Sequence, residues 1–413
     1  STKGDCPSKT QRILDSTSVL PACEVALDDA LGRVIAAPVI AHDSVPPFAS
    51  AAMDGFAVSS TDVAQARADH PVRLRVLQDV AAGSVASCRV EPGTAIRIMT
   101  GAPVPDGADC VVRVEDTRPE GNEVAILRGA KGGANVRPVG EDTHAGGVVL
   151  SQGAVVRAAE IGVLASVGCS TVSVYRAPKV AVVTTGDELV GVGEPMGPGK
   201  IRDTNSYALT AQARASGAVP LLIARVADTL DATSEAFARA MAQSDIVVTN
   251  GGVSVGDYDC AKAALERIGA RLVFWGVEQK PGKPLAFWEA DGKTVISLPG
   301  YPAAAMICFE EYVRPALRKM TGHSALHRPH RVARLQAGYD KKGGGKDRRV
   351  HLLRAKVFES NGELQATLTG GQGSAMLSSL ARSNALVVVP EDQDAIAPGG
   401  QVLVHLTDQP EDH

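Results

Sequence analysis

The chain holds 413 residues with a net charge of −4, 45% hydrophobic and 21% charged, the make-up of a soluble globular protein of roughly two to four domains. That charge gives no broad attraction to nucleic acid or to an anionic membrane, and no apolar run approaches the ~20 residues of a membrane span. Seven scattered cysteines lack the spacing of zinc or redox motifs, and the opening STKGDCPSK lacks the apolar core of a secretory leader. Reduced thiols and a cytoplasmic location are therefore expected.

Residues 10–37 read as helical, broken near Pro21, with the run 25–31 stopping at Gly32. From 34 to 58 the chain carries Pro46 and Pro47, which fix φ and lack a donor, so an extended connector is expected, with a turn at Asp54-Gly55. Between 58 and 140, short apolar runs (VRLRVLQDV, TAIRIMTG, ADCVVRVEDT, NEVAILRG) alternate with turns and predict a small β domain. Thr100 opens one long turn, and Gly140-Glu141-Asp142-Thr143 forms another, acidic one.

From 177 the period changes. KVAVVTTGDELV at 179–190 begins with a Val-rich run too short for a helix and stops at Gly186-Asp187-Glu188; DIVVTNGGVSVGDYD at 245–259 echoes it. Strands and helices then alternate to about residue 320, which predicts a doubly wound α/β domain. Its ligands should sit beyond the carboxyl ends of the strands, where strand order switches. HSALHRPHR at 323–331 reads as a solvated linker, and the runs beyond it as strands of a C-terminal β domain.

Asp54, Asp142, Asp187, Glu188, Asp228, Asp257 and Asp259 stand beside glycines or at element boundaries. Acidic residues favour such places in any case, but as a set of oxygen donors they suit Mg²⁺, which shares its positions with water and substrate phosphates. Lys280-Pro281-Gly282-Lys283-Pro284 is a stiff basic loop suited to a phosphate or another oxyanion. The small residues Gly251, Gly252, Ser254 and Gly256 would let backbone N–H groups approach a phosphate. The basic stretch 341–349 reads as a solvated hairpin tip. No Ser–His–Asp or Cys–His arrangement stands out, so chemistry by metal and electrostatics is expected over covalent catalysis.

Eight motifs in order resemble the MoeA family of molybdenum-inserting transferases, related to the E domain of gephyrin. They are VPPFASAAMDGFAV, RIMTGAPVPDGADCVVRVEDT, VGEDTHAGG, VAVVTTGDEL, IRDTNSYAL, TNGGVSVGDYD, KPGKPLAFW and LPGYPAAA. The resemblance implies an elongated multidomain protomer with α/β and β parts. A discontinuous N-terminal domain (1–57 and 141–176) would be interrupted by a β-rich domain (58–140). A central α/β domain similar to molybdopterin adenylyltransferase (177–326) and a C-terminal β domain (327–413) would follow. It further implies a homodimer whose clefts are completed by the partner, with molybdopterin adenylyltransferase acting upstream.

The implied reaction inserts molybdate into adenylylated molybdopterin, with Mg²⁺, releasing AMP and molybdenum cofactor. Asp187, Glu188 and Asp259 match acidic positions of the pterin-nucleotide cleft, Glu188 and Asp259 as metal ligands, with Gly186, Gly251, Gly252, Ser254 and Pro284 around them. Asp54, Thr100 and Asp142 match positions that would serve the neighbouring subunit's site. Lys280 and Lys283 would hold phosphate or molybdate, and Arg349 and Ser374 would complete the oxyanion pocket, with Arg348 and Arg354 as close competitors of Arg349. The chain departs from the family's pattern in two places, the second of which removes a possible donor to the oxyanion. Family members often read DNSAMDG where residues 49–55 read ASAAMDG, and a Ser where this chain has Ala304. An adenylyltransferase would need only the α/β domain, and a scaffold would need an attached domain or an interaction linker.

Overall fold

The structure, a computed structural model, describes residues 5–251, 260–341 and 347–408. The chain divides into two compact units, one built from residues 24–31 and 37–173, the other from 1–23, 32–36 and 174–413.

In the second unit a six-stranded sheet runs in the order Val219–Val226, Lys179–Thr185, Ile246–Asn250, Lys293–Leu298, Ala286–Ala290, Arg271–Trp275. The first four strands are parallel; the last two join antiparallel. Alternation of side chains explains the Val-rich run. Val180 and Val182 pack into one apolar layer with Leu209, Phe309 and Tyr312, while Ala181 and Val183 pack into the other with Phe237, Ala240 and Ala264. A strand covered on both faces has no polar side to show, hence the unbroken apolar sequence. Burying each such Val contributes on the order of 1.5–3 kcal/mol. The doubly wound expectation holds, with one addition. Ala286–Ala290 and Lys293–Leu298 form a hairpin turning at Asp291 and Gly292, both at positive φ (49° and 72°), an Asp-Gly signal that was legible in the sequence.

Beyond the sheet, Val350–Ser360, Glu363–Leu368, His330–Leu335, Gly400–Leu406 and Ala385–Val389 pair in a closed ring, a small barrel around Leu335, Leu353, Val357 and Val387. The short strand Gln279–Lys280 adds to it in parallel, with Gln279 opposite Val350 and Lys280 opposite His351.

The other unit centres on a six-stranded sheet of Cys110–Arg113, Gly55–Val58, Thr94–Ile98, Val72–Val80, Glu123–Ile126 and Thr117–Glu120. Gly55–Val58, expected as connector, is an inner strand with all four residues buried. Val112 O passes so close to Gly55 that a side chain there would overlap it, which is why glycine starts the strand.

Three further expectations change. The run 25–31 is not helical: Ala22–Ala26 is a strand and Leu27–Asp29 a 3₁₀ turn, tertiary pairing overriding propensity. The stretch 323–331 is not simply solvated, since His323 shares a 2.8 Å hydrogen bond with Thr321 and His330 stacks on His405 at 4.0 Å. Of the stretch 341–349, read as a solvated hairpin tip, residues 342–346 lie outside the described residues, but Lys341 is buried, its Nζ donating to the carbonyls of Arg349 (2.9 Å) and Pro390 (2.5 Å). None of the seven cysteines forms a disulfide.

Candidate functional site

Lys179–Thr185 leads through the helix Asn205–Ala215 to Val219–Val226 on one side, while Ile246–Asn250 pairs on its other side. Strand order therefore switches between Lys179–Thr185 and Ile246–Asn250, and a crevice is expected at their carboxyl ends. Four of the sequence-predicted residues, Gly186, Asp187, Glu188 and Gly251, lie at these ends. Gly186 (φ 146°) and Gly251 (φ 93°) end these strands. A Cβ on Gly186 would lie 2.6 Å from the Glu188 carboxylate, and one on Gly251 would lie 3.1 Å from Thr185 O. Both positions therefore need glycine for the chain to turn back over itself.

Polar side chains hold these ends together. Asn205 Nδ2 donates to Asn250 Oδ1 (2.6 Å) and Gly300 O (2.7 Å), and Asn250 Nδ2 donates to Pro299 O (2.6 Å). Buried Asp203 accepts from the Ser206 amide (3.0 Å) and from the hydroxyls of Ser206 and Thr184, fixing the start of the helix. Asp187 and Asp228 each accept from the other's amide, at 3.2 and 3.4 Å. Lys200 Nζ donates to Asp187 O at 2.5 Å. The carboxylates of Asp187 and Glu188 remain exposed. Gly252, Ser254 and Asp259 lie outside the described residues.

The basic loop is held from beneath. Tyr312, on the π-helical turn Phe309–Val313, donates to Gln279 Oε1 at 2.8 Å, and Gln279 Nε2 donates to Pro281 O at 2.9 Å. Gly282 (φ 107°) rests on Cys308, with Gln279 Nε2 2.8 Å from where its Cβ would be. Lys283 O accepts from the Val277 and Leu285 amides, both at 2.9 Å, which sets Pro284 between them. Lys283 Nζ stands 3.9 Å from Glu278. Val350 N donates to Glu278 O at 2.9 Å, so this loop and the segment bearing Arg349 share one ladder.

Of the three arginines, Arg354 is fully buried and donates to the carbonyls of Gly371, Gln372 and Gly373 and to Ser379 Oγ. It builds the turn before Ser374 and has no exposed edge. Arg348 is exposed. Arg349 is anchored by Asp347, which accepts from Nε and Nη2 at 2.8 Å each, yet its side chain keeps 31% exposure. The Arg349 and His351 hydrogen bonds outweigh partial burial and hold the Asp347 carboxyl far below its usual range. Ser374 O accepts from Ala303 N (3.1 Å) and Ala304 N (3.3 Å), capping the helix Pro302–Cys308. Ala304 is 2% exposed, so its missing hydroxyl faces packed protein.

In the other unit, Asp54 Oδ1 accepts from both the amide and the hydroxyl of Thr100, each at 2.7 Å, and these bonds depress its pKa. Asp142 sits on a separate turn, its amide donating to Val45 O at 2.9 Å. Sequence reasoning placed a helix cap at Thr204 or Asn205, and the helix does start there, but it missed Gln279, Asp203, Asp347 and His351. Asp203 lies just before the helix start and was open to capping logic; Gln279 acts through Tyr312, 33 residues on, while Asp347 and His351 are near in sequence but pair only once the backbone brings their side chains together with Tyr339.

Known families match all three parts of the chain. The MoeA N-terminal region (domain I and II) matches residues 7–168, a probable molybdopterin binding domain matches 181–319, and the MoeA C-terminal region (domain IV) matches 333–407. A Nostoc protein named molybdopterin molybdenumtransferase is 39% identical over 377 residues, covering 90% of this chain and 86% of its own. A Bacillus subtilis protein of the same name is 36% identical, covering 92% and 89%. The crystal structure of a molybdopterin biosynthesis MoeA protein from Pyrococcus horikoshii superposes with a TM-score of 0.80 at 32% identity, covering 97% of this chain and 99% of that one.

Proposed function

The chain belongs to the MoeA family, and we propose that it is a molybdopterin molybdenumtransferase that inserts molybdate into adenylylated molybdopterin and releases AMP and molybdenum cofactor. The observation that carries this reading is the shared ladder of Gln279–Lys280 and Val350–Ser360. It ties the Lys280–Lys283 loop to Arg349, giving several cationic donors for one tetrahedral dianion.

In this reading the pterin nucleotide lies over the strand ends at Gly186 and Gly251, where backbone amides without side chains admit a phosphate. Lys280, Lys283, Arg349 and Ser374 hold the oxyanion. Exposed Asp187 and Glu188 orient the pterin end. Among the described residues no group of three or more His, Cys, Asp or Glu side chains could hold an ion by itself. The donors at the strand end are all carboxylate oxygens, however, and that hard set fits Mg²⁺ completed by substrate phosphates. Glu188, with Asp259, would hold it, and when bound it would neutralise phosphate charge at the anhydride. Asp54, Thr100 and Asp142 would serve the site of a second copy in a homodimer, and Gly252 and Ser254 would line the phosphate. The four domains would divide at 57/58, 140/141, 176/177 and 326/327. The protein would work in the cytoplasm, downstream of molybdopterin adenylyltransferase.

The test is AMP release from adenylylated molybdopterin with and without molybdate and Mg²⁺. Release that depends on molybdate and yields active cofactor supports insertion. Tight binding with no release under any oxyanion refutes it and points to a scaffold.

A further inference from the structure

His351 is fully buried and hydrogen-bonded through both ring nitrogens. Nε2 meets Asp347 Oδ2 at 3.0 Å and Nδ1 meets the Tyr339 hydroxyl at 3.0 Å. Asp347 is a carboxylate and can only accept, so Nε2 carries the proton; burial keeps the ring neutral, so Nδ1 accepts from Tyr339. The chain of donors thus runs Tyr339 to His351 to Asp347, and Asp347 receives Arg349 as a fork. Lys341 Nζ holds the Arg349 carbonyl at 2.9 Å, and Val350 N is tied to Glu278. Arg349 is therefore fixed in backbone and side chain together.

This is far more support than a surface ion pair warrants. A partly exposed Arg–carboxylate pair contributes modestly to stability, whereas burying an imidazole between two polar partners carries a desolvation cost that its hydrogen bonds must offset. Such an arrangement makes sense where direction matters. Nε–H and one Nη2–H go to Asp347, which leaves the other edge of the fork, two N–H on Nη1 and one on Nη2, for a ligand. That edge matches two oxygens of a tetrahedral oxyanion. The ladder sets His351 beside Lys280, so the same strand positions both cations.

We propose that Tyr339, His351 and Asp347 form a hydrogen-bonded brace that aims the free edge of Arg349 at the oxyanion, and that they set molybdate affinity without taking part in the chemical step. The proposal rests on the reading of Arg349 as an oxyanion ligand. They are positioning residues, and their loss should move KM for molybdate and leave kcat largely unchanged.

The experiment compares the full chain with Arg349→Gln, His351→Phe, His351→Gln, Tyr339→Phe and the double variant Arg349→Gln/His351→Phe. Equilibrium dialysis of molybdate and steady-state AMP release are measured for each. His351→Phe keeps a planar ring, somewhat larger than imidazole, without either hydrogen bond and is expected to raise KM and weaken dialysis binding about 10-fold, the scale seen when an outer support of a ligand is lost, with kcat within about twofold. His351→Gln, which can still donate and accept, should recover most of the affinity. The double variant should be no weaker than Arg349→Gln alone, because the brace acts through that side chain. If His351→Phe does not fold, Tyr339→Phe removes a single hydroxyl and should shift KM in the same direction by a smaller factor. Weakened binding in Arg349→Gln beside unaltered binding in the brace variants would overturn the brace alone. Unaltered binding in Arg349→Gln would overturn the reading of Arg349 and the brace with it.

Discussion

Gly282→Ala tests how the lysine loop is held. Gly282 has φ 107°, a region where an L side chain costs about 1–3 kcal/mol. The added methyl would also lie 2.8 Å from Gln279 Nε2 and nearer still to Cys308 Sγ. Both neighbours are buried, Cys308 completely, so neither can swing into solvent. Ordinary carbon contacts need about 3.5–4.0 Å, and forcing such an overlap in a packed interior costs typically 1–3 kcal/mol. The sum is about 2–6 kcal/mol. Gln279 is also the residue that grips Pro281 O and Tyr312, so the strain should act first on the loop carrying Lys280 and Lys283. The expected result is a fall in Tm, at roughly 2–4 °C per kcal/mol for a unit of about 150–250 residues, together with a raised KM for molybdate. Combining Gly282→Ala with Cys308→Ala removes the Sγ overlap but not the φ strain. Thermal unfolding of the four proteins in that cycle should give a favourable coupling of about 1 kcal/mol or more. A Gly282→Ala protein with unchanged Tm and unchanged KM would refute the account of the loop.

Glu188→Ala and Asp187→Ala remove exposed carboxylates at a strand end, so circular dichroism and Tm should stay near those of the parent while molybdate-dependent AMP release is lost; full activity in either folded variant removes that residue from the reaction. Asp245 gives a pH test of stability. Burial pushes its pKa up, but the Arg176 fork (2.7 and 2.8 Å) and the Lys179 amide (2.7 Å) more than offset this and leave it below its ordinary 3.8. A depressed carboxyl stabilises above its unfolded pKa and loses that contribution as pH falls through the folded one. Arg176→Gln should therefore cost about 1–2 kcal/mol at pH 7, and urea unfolding should show the gap holding down to about pH 3.8 and closing below it; a gap that stays constant well below 3.8 would contradict the assignment.

What the sequence made legible follows from where each force acts. The strand at 179–185 could be read because both its faces are apolar and its end is marked by Gly186-Asp187-Glu188, all local features. The switch point followed from the alternation of strands and helices, and with it the placing of Gly186, Gly251, Asp187 and Glu188 at one edge of the sheet. The Lys280–Lys283 loop was legible as a loop because proline and glycine act on their own backbone. Its grip was not, since Gln279 holds it through Tyr312 and Cys308, 33 and 29 residues further on. Gly55–Val58 misled for the same reason, because its strand character comes from pairing with Val112 and Ile96, not from its own neighbours.

The choice among the arginines marks the limit most sharply. Arg348, Arg349 and Arg354 are chemically equal in sequence. Arg354 alternates inward on a long strand and has its donors taken by three carbonyls and a hydroxyl, while Arg349 meets a carboxylate two residues before it. Only tertiary contacts, which bring Tyr339 to His351 and set Lys280 on the strand paired beside it, separate a guanidinium that builds a turn from one left with an edge to offer. A motif can place a cation near an anion's path; aiming it depends on contacts that no single stretch of sequence contains.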